Sequence, residues 1–210
     1  MLEHLAPRDA RRPESMAGAD HPMRQVTRDV ASDAGAWDRA TRDRVKGIFD
    51  SLADGWHSRH TEERLAPLRD ALERGRPTPG RCVELGCGTG PASALLAGHF
   101  SAMVSIDLSM EMLSRAAGIA PDRVRADASR LPLRTGSVET LVLMNMLLFP
   151  AEMDRVLARG GTLVWVNSRG SGTPIHLPPE ELLEALPGEW MGRTADAGQG
   201  SWCVVSRARE

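Results

Sequence analysis

The stretch that most constrains this chain is Val83-Glu84-Leu85-Gly86-Cys87-Gly88-Thr89-Gly90. An acid is followed by glycines at every second position, and Pro91 then opens a helical pattern. Glycines at alternate positions remove Cβ atoms and permit φ > 0, so a ligand can lie directly on the backbone. Proline suits the first turn of a helix, whose amides have no partner inside the helix and attract an anionic group. Arg81-Cys82-Val83 reads as a short strand entering the turn. Strand, glycine turn and helix make a nucleotide-type cradle at the C-terminal edge of a parallel sheet. The spacing is not that of a dinucleotide fingerprint, because the sixth position counted from Gly86 is Pro91 rather than glycine. It is not a phosphate loop of the G-x-x-x-x-G-K-[ST] kind either, since Lys46 is the only lysine in the chain.

Asp107, at the end of Ser105-Ile106-Asp107, stands about 20 residues past the turn, where an acid can reach ribose hydroxyls. Ser109 suits the N-cap of the following helix. Asp127 and Ala128 end the next strand, on the side of the crevice where a base would sit. There the carboxylate can accept from an exocyclic amine and the amide of Ala128 can donate to a ring nitrogen. Each acid also has a plainer reading, as a cap or a turn residue.

From Arg81 onward strands and helices alternate, which predicts an α/β domain with a mostly parallel sheet. Strands are expected near 81–86, 102–107, 122–126, 138–145 and 162–167, with helices near 91–99, 110–117, 151–159 and 179–186. The pair 189–197 and 201–208, joined by Gly198-Gln199-Gly200, reads as a C-terminal hairpin. Upstream, residues 1–22 are rich in Arg, Asp, Pro and Ala and read as a disordered tail. One helical pattern covers about 24–52 and a second about 61–74, with Pro67 inside it and Gly75 at its C-terminal cap. The expected organisation is therefore a tail over 1–22, a helical segment over 23–75 and one α/β domain over 76–210.

A net charge of -2 gives no reason to expect a nucleic acid or an anionic membrane as partner. Three cysteines without metal spacing suit a reduced, cytoplasmic chain rather than a disulfide scaffold or a metal site.

The stretches VELGCGTG, IDLSMEML, ADASRLPL and RVLARGGTLVWV together resemble the small class I S-adenosylmethionine (SAM)-dependent methyltransferases, the methyltransferase type 11 kind found in ubiquinone and menaquinone biosynthesis. The likeness spans about 81–168. It implies a Rossmann-like fold with helices on both faces of a seven-stranded sheet ordered 3-2-1-4-5-7-6, strand seven antiparallel. It implies SAM as cofactor, with Glu84, Gly86, Gly88 and Gly90 at its methionine part, Asp107 on its ribose, Leu108, Asp127 and Ala128 around its adenine, and Cys87 and Asn145 among the other residues that bind it. It also implies that the N-terminal helices form a lid over the crevice, with Trp56 close to the cofactor. The strand ending Met144-Asn145-Met146-Leu147 lacks the Asn-Pro-Pro-aromatic signature of amine methylation, which disfavours nucleobase or peptide-amide acceptors. The acceptor is expected to be a small, rather apolar molecule, floored by Met144, Met146, Leu147, Leu148 and Phe149. Candidate bases are His176, after the fifth strand, and His57 with His60, beside Trp56. Only nine residues separate Asn145 from Arg155, fewer than the family usually places there. A SAM- or SAH-binding protein without catalysis therefore stands as the alternative, whereas Pro91 disfavours an NAD-dependent oxidoreductase.

Overall fold

The computed structural model describes residues 1–13, 15–56, 61–120 and 122–208. Eight strands form one sheet in the order β1-β7-β8-β6-β5-β2-β3-β4. They are β1 Leu2–His4, β2 Arg81–Leu85, β3 Ala102–Asp107, β4 Arg123–Arg125, β5 Val138–Met144, β6 Leu157–Asn167, β7 Trp190–Ala197 and β8 Gly200–Arg207. Neighbours run parallel except at β8, which is antiparallel to both β6 and β7. The implied seven-strand order is present, with an eighth strand added at one edge.

The two periods of the sheet explain its two cores. Side chains alternate across a strand, so Val83, Leu85, Ile106, Leu141, Leu143, Leu163 and Trp165 fall on one face. Cys82, Met103, Val142, Val164, Val166 and Val204 fall on the other. Helices α1 (Met23–Ser32), α6 (Pro150–Val156) and α7 (Pro179–Ala185) bring Met23, Val30, Met153 and Leu182 to the first face. Helices α3 (Glu62–Arg74) and α4 (Ser93–Ala97) bring Leu65, Leu68, Leu72 and Leu96 to the second. Covered on both faces, β5 is apolar without a break from Leu141 to Met144.

Three expectations are corrected by the structure. Residues 1–22 do not form a disordered tail. Leu2–His4 pairs with Gly192–Thr194 in parallel, and Arg8 bridges to Ala197. Further on, Gly18 and Gly172 pass so closely that a Cβ on Gly18 would meet the carbonyl of Gly172. Composition alone misread this segment, because main-chain pairing needs no large apolar side chains. Its deletion uncovers the β7 edge and removes Arg8 from the buried Asp70. We expect removal of residues 1–22 to lower the melting temperature by roughly 5–10 °C, read by calorimetry; an unchanged transition would show the strand to be dispensable.

The pattern across 24–52 is two helices rather than one, α1 and α2 (Arg39–Trp56). Between them Asp33 accepts from the amide of Gly35 at 2.8 Å, and Asp38 accepts from the amide of Thr41 at 2.7 Å. Two aspartates at helix ends compete with the helical ladder and break it. Finally, the expected unit 23–75 divides. Helix α3 lies on the sheet, running through Pro67 with six buried residues, while α2 lies along the crevice described below. Gly75 does cap α3, but with φ -71°. Glycine is needed there for close approach: a Cβ would meet Ala71 O and a Val204 methyl.

Candidate active site

The C-terminal ends of β2, β3, β4 and β5 open on one crevice with a free cavity volume of about 100 Å³. Its floor is the glycine turn. Gly86, Gly88 and Gly90 all have positive φ, at 69°, 57° and 83°. Asp107 fastens the turn: its Oδ2 accepts from the amide of Gly88 and its Oδ1 from the amide of Ser109, both at 2.8 Å. Ser109 in turn caps α5 (Met110–Arg115), its hydroxyl accepting from the amide of Met112 at 3.1 Å. Burial pushes the Asp107 carboxyl above its ordinary range, against the pull of these amides.

Glu84 lies beneath the turn, 3% exposed. Its Oε2 accepts from Ser93 Oγ at 2.6 Å and from Ser105 Oγ at 3.0 Å. Burial raises its pKa to about 7; the two serine bonds oppose that shift and the neighbouring charge of Asp107 adds to it. Cys87, buried beside it, is pushed upward by burial and is held as a neutral thiol. Asn145 closes the far side with a positive φ of 52°, rare outside glycine. Its amide is locked by Ser168, donating to Ser168 Oγ at 2.9 Å and accepting from Ser168 N at 2.8 Å. Conformations of this kind persist only where the surroundings enforce them, and they gather at sites.

The structure therefore brings Trp56, Glu84, Gly86, Cys87, Gly88, Asp107, Leu108, Asp127, Ala128 and Asn145 around one crevice. Gly90 is set back from it. A Cβ there would lie 3.1 Å from Ile119, so its role is in turn geometry and packing behind the turn. His176 is also elsewhere. Its neighbour Ile175 lines the crevice, but His176 Nδ1 faces Arg24 Nη1 at 3.4 Å. Burial and the adjacent Arg24 charge lower its pKa to about 4, so it is neutral at pH 7. His57 and His60 lie outside the described residues.

Of the N-terminal helices expected over the crevice, α2 supplies a wall of it. Val45, Lys46 and Phe49 line the crevice, and Trp37, just before the helix, reaches Asp127. The Trp37 indole N–H donates to Asp127 Oδ1 at 3.0 Å and Oδ2 at 3.2 Å. Lys46 pairs with Asp50, whose other oxygen accepts from the Ser109 hydroxyl. The i, i+4 spacing of the lone lysine and Asp50 was a readable signal. The meeting of Trp37 and Asp127, 90 residues apart, was not.

Comparison with known proteins agrees with this geometry. Residues 83–165 match the family described as methyltransferase domain. The chain is 30% identical over 159 residues to a trans-aconitate 2-methyltransferase of Streptomyces avermitilis, an alignment covering 66% of this chain and 58% of that one. It is 34% identical over 164 residues to a demethylmenaquinone methyltransferase of Beutenbergia cavernae, covering 70% and 64%. The chain thus spans about half to two thirds of the length of the curated relatives it matches. Among solved structures, a SAM-dependent methyltransferase from Thermotoga maritima, described as a possible histamine N-methyltransferase, superposes with a TM-score of 0.59 at 16% identity, over 77% of this chain and 99% of that one. A SAM-dependent methyltransferase fold from Methanococcus maripaludis gives 0.54 at 16% identity, over 82% and 94%. The glycine turn on β2, the strand order with its antiparallel β8 and the matched residues identify a class I methyltransferase domain of the SAM-dependent family.

Proposed function

We propose that the crevice binds S-adenosylmethionine and that this chain, in the cytoplasm, transfers its methyl group to a small, rather apolar acceptor. The observation that carries the reading is the Gly86-Gly88-Gly90 turn at positive φ, with Asp107 bonded into it. A cradle without Cβ atoms, an acid at each of the next two strand ends and a buried acid beneath suit the parts of this cofactor in order. The open face of the turn with Glu84, Cys87 and Asn145 would hold the methionine part, Asp107 the ribose, and Leu108 the adenine face. Ala128 would read the adenine edge, and Asp127 would accept from its amine.

When bound, the cofactor supplies a sulfonium methyl that a nucleophile can displace in line. The chain's own work is then mainly to hold and orient, since proximity and alignment supply much of such a rate enhancement. Val45, Phe49, Met146, Leu147 and Ile175 give the crevice an apolar wall against which an acceptor can lie and from which water is excluded. The named relatives take acceptors as different as trans-aconitate and demethylmenaquinone. They support a small-molecule acceptor and leave its identity to experiment. Three buried free cysteines agree with a reducing compartment.

Calorimetric titration with SAM and its product S-adenosylhomocysteine (SAH) tests the cofactor; a methyl-transfer screen across carboxylate, phenol, quinol and amine acceptors tests the reaction. Binding without turnover on any class would favour the non-catalytic alternative. Asp107→Ala is expected to weaken SAH by about 10- to 100-fold, the loss of bonds to a charged acceptor at roughly 1.5–3 kcal/mol each. A loss below threefold would reduce Asp107 to its contacts with Gly88 and Ser109.

A further inference from the structure

Ile175 carries the loop after β6 into the crevice, on the apolar wall assigned above to the acceptor. The stretch around it, 170–177, is irregular apart from one short turn at Gly170–Gly172, so its course is set by what grips it. From within, the Trp165 indole N–H and the Asn167 amide both donate to the carbonyl of Leu177, at 3.1 Å each. From outside it is gripped by Arg24, near the start of α1. Arg24 Nη2 donates to the carbonyl of Ser171 and, at 3.2 Å, to that of Thr173. Its Nη1 faces His176 Nδ1 at 3.4 Å, and its Nε donates to the Gly18 carbonyl at 3.1 Å.

The chemistry of these partners calls for a guanidinium. Carbonyl oxygens only accept, and a guanidinium has no acceptor atom, so His176 Nδ1 must be the bare nitrogen of a neutral ring. A planar fork of donors serves acceptors that lie apart, whereas an ammonium is a single point. The N-terminal segment is itself pressed onto the loop: a Cβ on Gly172 would lie 2.7 Å from the Ser15 carbonyl. Among the described residues, the bonds of the Arg24 side chain go to this loop and to Gly18. The cofactor end of the crevice is fastened by other groups, Asp107 on the glycine turn and Ser168 on Asn145.

We propose that Arg24 is a positioning residue for the methyl acceptor: through the 170–177 loop it fixes Ile175 in the wall against which the acceptor lies. The proposal rests on the methyl-transfer reading above. Releasing the grip frees one wall of the acceptor side and leaves the cradle intact. Acceptor binding and cofactor binding must therefore separate in a variant of Arg24, whereas a general loosening of the fold would move both.

The test compares the wild type with Arg24→Met and Arg24→Lys, on the acceptor of highest turnover among the carboxylate, phenol, quinol and amine classes. In Arg24→Met the acceptor KM is expected to rise about tenfold with kcat little changed, the mark of binding lost equally from ground and transition states. Calorimetric SAH affinity is expected to stay within about twofold. Hydrogen exchange across 171–177 is expected to quicken about tenfold while 84–88 is unchanged. Arg24→Lys keeps the charge, loses the fork and is expected to match Arg24→Met. Arg28→Met cuts the neighbouring tie of α1 to Glu181 and is expected to match the wild type. An unchanged acceptor KM, an SAH affinity that falls in step with it, unaltered exchange, recovery by lysine, or an equal rise in Arg28→Met would each overturn the role. A wild type that binds SAH and methylates no acceptor class overturns the transfer reading itself, and the role with it, before any variant is made.

Discussion

Gly88→Val is expected to abolish SAM and SAH binding while leaving the chain folded. Gly88 has φ 57°, a region a β-branched residue enters only under strain. The local cost is about 1–3 kcal/mol, well short of the stability of a domain this size. The larger consequence is spatial. The added side chain would project into the crevice, where Trp56 now lies and where the ligand would rest. It would also press on the amide that donates to Asp107 Oδ2, the bond tying the turn to the end of β3. Blocking the cradle and loosening its acid together should lower affinity by roughly a hundredfold or more, about 2.7 kcal/mol. Circular dichroism and a melting curve establish that the variant is folded, and calorimetry reads binding. A folded Gly88→Val that binds SAH as the wild type does would remove the glycine turn from the site.

The parts of this structure that sequence disclosed are those fixed by local chemistry. Alternate glycines, the Ser109 cap and the apolar run of β5 each specify a conformation within a few residues, and each stands where expected. Asp107 was placed by its distance from the turn, a property of one strand-helix-strand unit. What sequence did not disclose depends on contacts between distant segments. The strand Leu2–His4 has no composition that announces it, because its partner β7 supplies the other half of the ladder. The pairing of Trp37 with Asp127 joins an inter-helix elbow to the end of β4, and neither residue signals the other. His176 follows β6 as the topology requires, yet its ring turns toward Arg24 because α1 packs beside that loop. The same α1-α2 elbow accounts for the misread helix: Asp33, two residues before Gly35, and Asp38, three before Thr41, were legible caps, outvoted by apolar periodicity.

Asp70→Ala, away from the crevice, should be strongly destabilising. Asp70, on the buried face of α3, is 2% exposed and collects three partners from three parts of the chain. Arg74, one turn on, donates to both of its oxygens; Trp202 of β8 donates its indole N–H at 2.7 Å; Arg8 of the N-terminal segment approaches within 3.1 Å. Burial alone would raise this carboxyl, but the bonds from Arg74 and Trp202 and the charges of Arg74 and Arg8 outweigh it and hold it below its ordinary value. Truncation leaves a buried indole N–H unbonded and Arg74 without its counter-charge, a class of change that costs about 3–5 kcal/mol. At this chain length that corresponds to a fall in melting temperature of roughly 6–20 °C. The pH dependence follows from the sign of the shift. A carboxyl lowered by folding stabilises the native state above its unfolded pKa, and the contribution is lost as pH falls through the lower folded value. The gap between wild type and Asp70→Ala should therefore be full at pH 7 and shrink below about pH 4, as the wild type takes up the proton. Arg8→Ala, which removes a half-exposed partner and leaves the other two, should cost much less. Thermal melts of the three proteins across pH 3–7 decide it: a gap under about 1 kcal/mol at neutrality, or one that does not narrow in acid, would mean that Asp70 is not what ties α3, β8 and the N-terminal segment together.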